Sequence, residues 1–216
     1  MKCVFSSLNI SKNGAHSQNQ DFLQHYPIED YRPTMPQVYL YDLGRSLYDL
    51  KLDNILDWQM QNPSEYGYWT LGFNGAMTVI APEFLGLDLD YAGQGVEEFR
   101  RDRINDLNTY LNNSQWNFDN TWSYFILPWT KNTGNRQSIN DLMSGLLIYL
   151  SDEYGGVSFL ARLFQNLKQQ PTTPSKTDRQ ARAQNLYEAA KKSVSSSNLG
   201  NLENFFKQKM RWSFLN

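Results

Sequence analysis

One cysteine, Cys3, and two histidines, His16 and His25, are all that this 216-residue chain supplies in thiol and imidazole metal ligands. A lone cysteine excludes an internal disulfide framework and any Cys-rich zinc ribbon. The histidines lie nine residues apart in an irregular segment, not at the i, i+4 spacing that sets two imidazoles on one face of a zinc helix. Long apolar runs are missing as well. The longest, such as Leu146 to Leu150, fall far short of the roughly 20 residues that span a bilayer, and mean hydropathy is -0.61. The opening Met1-Lys2-Cys3-Val4-Phe5-Ser6-Ser7 has one lysine but no apolar region of about 7–15 residues, so no secretory signal is expected. No Gly-x-Ser-x-Gly elbow occurs, and Gly93-Gln94-Gly95 lacks the third glycine and preceding strand of a phosphate cradle. Charge is balanced, with 20 Lys+Arg against 22 Asp+Glu and a net charge of -2. Interspersed signs give neither a nucleic-acid footprint nor an acidic tail. The expectations are no metal, no cofactor, no nucleic-acid partner and no membrane span.

Aromatic residues, by contrast, reach 14% of the chain, enough to furnish a substantial core. Residues 1–36 contain Pro27, Pro33 and Pro36 without a sustained period and read as an irregular lead-in. Residues 37–216 read as a single helical domain. Val38, Tyr39, Leu43, Leu47, Leu50 and Leu56 fall near helical spacing and predict a long amphipathic helix closed by Asn62-Pro63-Ser64. A second helix runs from Leu71 through Ala76, Met77, Val79 and Ile80 toward Leu85, its far end weakened by Pro82. After a Gly- and Asp-containing loop from Gly86 to Gly95, Val96, Phe99, Ile104, Leu107 and Leu111 mark another.

An aromatic stretch from Trp116 to Trp129 leads to the turn Lys131-Asn132-Thr133-Gly134. Ser138, three residues before Asp141, resembles a capping box with Asp in place of Glu, and Leu142, Leu146, Leu147 and Leu150 form the buried stripe of the helix it opens. Gly155-Gly156 separates that helix from the next, Phe159 to Leu167. A Pro/Thr linker from Gln169 to Lys176 precedes a helix opened by Thr177 to Gln180 and carrying Leu186, Tyr187 and Ala190. Ser195 to Asn198 is expected to break it before a last short helix with Leu202, Phe205, Phe206 and Met210. The predicted class is mainly α, a helical bundle with no strand.

Two residue sets bear on chemistry. Asp42, Asp49, Asp53 and Asp57 lie along the long helix, and Asp88 and Asp90 in the later loop. Paired acids can serve glycosidic or proton-transfer chemistry when burial raises one pKa. Arg45, three residues after Asp42 and four before Asp49, equally fits a surface ion-pair ladder. Trp69, Trp116, Trp122 and Trp129, with Tyr66, Tyr68 and Tyr91, offer either stacking faces for sugars or a core.

The order of elements resembles the C-terminal catalytic-helix and helical lobe of gluzincin-type zinc peptidases of the enhancin-like, mucin-degrading kind. In that family a His-Glu-x-x-His helix gives two ligands and the general base, and a following helix gives a third, glutamate ligand. Tyr41-Asp42-Leu43-Gly44-Arg45 looks like the first motif in its His-Glu-Leu-Gly-His form, with Tyr41 and Arg45 replacing the histidines and Asp42 the glutamate. Tyrosine is a poor zinc ligand, and a permanently protonated arginine is none. Gly72-Phe73-Asn74-Gly75-Ala76-Met77-Thr78 resembles the start of the second helix, with Gly75 where the third ligand would be. Asp141 to Phe164 looks like the family's post-catalytic helical pair, and Asn201-Leu202-Glu203-Asn204-Phe205-Phe206 with Arg211-Trp212 like its terminal region. The likeness spans roughly residues 37 to 214. A complete enzyme of this type carries a substrate-lining sheet before its zinc helix, for which 36 residues are short. The resemblance implies a non-catalytic metallopeptidase-like domain whose remnant site is Tyr41, Asp42, Arg45 and Gly75. Two alternatives stand beside it: a glycan- or peptide-binding module using the remnant cleft with Tyr68 and Trp69, and a metal-independent carboxylate hydrolase led by Asp42, Asp88 and Asp90.

Overall fold

Ser138 and Asp141 start the helix around which the others are arranged. In the computed structural model, which describes residues 70–86, 90–91, 94–124, 126–134, 136–170 and 178–215, the Asp141 carboxylate accepts from the Ser138 backbone N–H at 2.6 Å and from its hydroxyl at 3.1 Å. This is the expected reciprocal cap with the shorter acid. The helix it opens runs Ile139–Tyr154. It is buried on nearly every side: Asn140, Ser144, Gly145 and Ser151 are covered as well as its leucines. A helix covered all round belongs at the centre of a bundle.

The elements are α1 (Thr70–Leu85), a two-residue antiparallel pair β1 (Asp90–Tyr91) and β2 (Gln94–Gly95), α2 (Val96–Asn112), the central α3 (Ile139–Tyr154), α4 (Gly156–Lys168), α5 (Arg179–Ser193) and α6 (Ser196–Asn204). Asp90 faces Gly95 and Tyr91 faces Gln94, so the loop expected at 86–95 contains a minimal hairpin where no strand is predicted from sequence. The class is mainly α. No helix among the described residues is long and apolar enough to cross a membrane. The long helix predicted over Val38 to Leu56 lies outside the described residues.

α1 and α2 pack on α3, and α4 packs on both α3 and α5. Pro82 lies inside α1 without ending it; the helix continues to Leu85 and stops at Gly86, whose φ is 64°. So near the end, the missing N–H of proline interrupts little of the remaining ladder. α3 and α4 meet at Gly155 and Gly156, both at positive φ, 110° and 62°. Two consecutive left-handed residues reverse the chain without a linker, and glycine takes that conformation without a Cβ penalty. At α5 the cap is Asp178, which accepts from Ala181 N–H at 2.9 Å. The expected break at Ser195 to Asn198 is shorter than its polar composition predicts, because Ser195 precedes a helix that already starts at Ser196. Serine before a helix initiates as readily as it interrupts.

The aromatic stretch and the chain end form one unit. A π-helical turn at Phe118–Trp122 carries rings against Trp212 and Phe214, and a 3₁₀ turn at Pro128–Thr130 sets Trp129 against Trp116. Trp122 and Trp212 meet edge to face at 5.5 Å, and Phe118 and Phe214 at 4.7 Å. Such T-shaped pairs set the negative face of one ring against the positive edge of another.

Candidate functional site

Of the residues singled out by sequence, Tyr41, Asp42, Arg45, Tyr68 and Trp69 lie outside the described residues, as do His16, His25 and Asp88. Asp90 is placed in β1. Gly75 is placed in full. It is buried in α1, where a Cβ would stand 2.3 Å from Ser144 Oγ and 3.2 Å from Ser144 Cβ on α3. Ser144 is itself held, donating to Gly72 O at 2.9 Å and Asn140 O at 2.8 Å. At Gly72 a Cβ would fall 2.4 Å from Met143 Cβ, and at Gly145 it would fall 2.2 Å from Arg103 O of α2. Glycines thus mark the crossings of α1 and α2 with α3, letting the helices approach side on. Position 75 supplies no donor atom and has no room for one. Among the described residues no group of three His, Cys, Asp or Glu side chains is placed to hold a metal ion.

Of the tryptophans offered as sugar platforms, the three among the described residues pack against other side chains. Trp122 is wholly buried, and Trp116 and Trp129 are half-buried and lie against each other at 5.6 Å. The exposed ring of the stretch is Tyr124, 58% exposed. With Asn120, Ile126, Pro128 and Lys131 it lines an open, largely apolar hollow of about 350 Å³.

A second feature lies under the same segment. Asp106 is only 4% exposed, on the face of α2 that also buries Phe99, Leu107 and Tyr110. Its Oδ2 and the Trp129 Nε1 are both buried and without a full hydrogen bond, as is Arg103 Nε. Burial first, then the negative charge of Asp141, push the Asp106 carboxyl up to about 7, against a smaller downward pull from Arg103 and the Trp129 indole N–H. Arg103 does not neutralise Asp106 because it is engaged elsewhere: Nη1 pairs with Asp141 at 2.9 Å, and the guanidinium lies 4.3 Å over the Phe99 ring.

A third cluster sits toward the other end of these helices. Arg100 of α2 joins Glu83 of α1 at 3.0 Å and Asp152 of α3 at 2.5 Å. Burial raises the Glu83 pKa although Arg100 opposes it. For Arg100 burial acts downward, and the hydrogen bonds and charges of Asp152 and Glu83 outweigh it. This is a three-helix tie, and it faces no hollow among those described.

Sequence reading missed Asp106 and the Tyr124 hollow. A signal existed for the first, since Asp106 falls seven residues after Phe99 and four before Tyr110, on the apolar face of a 3.6-residue period. No protein-family model, curated protein or solved structure matches this chain.

Proposed function

We propose that this chain is a non-catalytic, gluzincin-like helical domain in which the positions of the zinc ligands no longer carry ligands. The observation that supports it is Gly75. The position that the resemblance sets against the third, glutamate ligand is a helix-crossing contact with Ser144, a role that excludes a side chain of any length. Tyr41 and Arg45, in the places of the two histidines, bring no ligand suited to zinc. Metal analysis of the purified full chain is the test. Dialysed protein should hold substoichiometric zinc and leave casein and mucin uncut. One tightly held zinc per chain, lost on Asp42→Ala or Tyr41→Phe, would overturn the reading.

A second reading, a glycan- or peptide-binding module, is favoured by the hollow around Tyr124, where an exposed ring and the Lys131 ammonium flank an apolar floor. Titration with mucin glycans and with peptide mixtures, followed by NMR, tests it. Shifts at Tyr124 and Lys131 that saturate support binding there, and spectra unchanged at millimolar ligand reject it.

A further inference from the structure

We propose that the hollow around Tyr124 captures the C-terminal residue of a partner peptide, seating an apolar side chain on Ile126 and Pro128 and the terminal carboxylate on Lys131. This rests on the second reading above, that the hollow is a binding site, and names what it binds.

Charge selects an anion. Among the described residues the lining is Asn120, Tyr124, Ile126, Pro128 and Lys131. Ile126 and Pro128 are half-buried, while Tyr124 and Lys131 are exposed. The Lys131 ammonium has neither an ion pair nor a hydrogen bond among the described residues. The stretch from Lys131 to Arg136 holds two cations and no acid, and Asp119, the acid next to Asn120, pairs with neither of them. A ligand of opposite charge is both attracted and oriented by such a side.

The polar groups of the lining are largely spent, which favours a peptide over a sugar. Asn120 Oδ1 accepts from the Asn117 N–H at 2.8 Å and from Thr121 Oγ1 at 3.1 Å, and its Nδ2 donates to Gln115 O at 2.6 Å. These bonds hold the π-helical turn and leave one amide N–H. Pro128 has no N–H to offer. A sugar ring carries hydroxyls on most of its carbons, and each would lose hydration here without a partner. An apolar side chain has no such loss. At about 350 Å³ the hollow is at the small end for ligand sites and takes one residue, not a run of chain. The apolar group and the anion must then belong to the same residue. The last residue of a peptide meets that condition, whereas an internal aspartate or glutamate brings the charge without the apolar group. A free amino acid adds an ammonium that Lys131 repels. Trp122 and Leu127, which back the two turns, are fully buried, so the walls are formed before a ligand arrives and little ordering opposes binding.

NMR titration of the isotope-labelled full chain with acetyl-Ala-Ala-Leu, as the free acid and as the amide, tests this. Expected are shifts at Tyr124 and Lys131 that saturate at millimolar acid, with the amide binding about threefold more weakly. Lys131→Gln should reduce the affinity of the acid to that of the amide, and Tyr124→Ala should weaken both forms. Both side chains are exposed, so neither variant removes a core contact. Equal affinity for acid and amide, or a preference for the acid that survives Lys131→Gln, overturns the proposal while leaving the hollow a binding site. So does free leucine binding as tightly as the peptide, or saturation by glucuronic acid where the peptide acid gives none. Spectra unchanged by every probe at millimolar concentration remove the second reading as well.

Discussion

Arg211 lies over the ring of Tyr110, its guanidinium carbon 4.8 Å from the ring centroid, and joins the end of the chain to the end of α2. From there it donates to the carbonyls of Tyr110, Leu111 and Trp116, two of them among the last carbonyls of α2, which have no partner within the helix. The Tyr110 hydroxyl donates back to Met210 O. Burial pushes the Tyr110 phenol above its ordinary range. Arg211 holds this place at a positive φ of 52°, uncommon for a residue with a Cβ.

Removing the guanidinium takes a donor from the carbonyls of Tyr110, Leu111 and Trp116, of which Tyr110 O keeps the longer bond from Asn113 N–H. Arg211→Ala should destabilise the fold by about 2–3 kcal/mol, and Tyr110→Phe by about 1–2 kcal/mol. Urea unfolding at an unchanged slope measures both. A wild-type midpoint in Arg211→Ala would show that the cap contributes nothing.

Glycine positions separate close approach from mere helix content. At Gly145 an added methyl meets the Arg103 carbonyl at 2.2 Å, whereas at Gly200 nothing stands within 4 Å. Gly145→Ala should cost about 1–3 kcal/mol or more through overpacking against backbone. Gly200→Ala, within α6, should stabilise by about 0.5–1 kcal/mol through helix propensity. Thermal melts of the two variants should move in opposite directions, and shifts of the same sign would contradict this account of the α2–α3 crossing.

Asp106 gives stability a definite pH dependence. Burial pushes its carboxyl from the ordinary 3.8 of the unfolded chain up to about 7 in the fold. Between those values the folded state binds more protons, so stability is full below the lower value, falls as pH rises and levels off above about 7. Roughly three units at about 1.4 kcal/mol each put the loss on the order of 4 kcal/mol at most. Asp106→Asn removes this dependence. The variant should be more stable than the wild type at pH 8 and gain little near pH 4, as read by denaturant midpoints. An equal difference at both values would rule out the titration of Asp106 as its cause.

Arg100 offers a contrast in exposure. Its partners Glu83 and Asp152 are 34% and 46% exposed, so solvent screens much of the attraction. Arg100→Met should cost about 1 kcal/mol, less at high salt. A loss of several kcal/mol that salt does not reduce would mark the tie as packing instead of charge.

The local structure was legible in the sequence because its causes lie within a few residues of each other. The Ser138–Asp141 cap, the leucine stripe of α3, the Gly155-Gly156 reversal and the turn at 131–134 each arise from neighbours along the chain, and all are present in the fold. Composition and period also determined the mainly helical class. The tertiary structure alone decided the rest. Phe118 and Phe214 are far apart in sequence and touch only once the helices are stacked. Gly75 and Gly145 acquire meaning from Ser144 and Arg103 on facing helices. Asp106 had the right period to be buried, but whether a cation would meet it depended on Arg103 turning to Asp141. Burial and charge pairing are sums over contacts that no local window contains, which is why the helices could be read from the sequence and the candidate site could not.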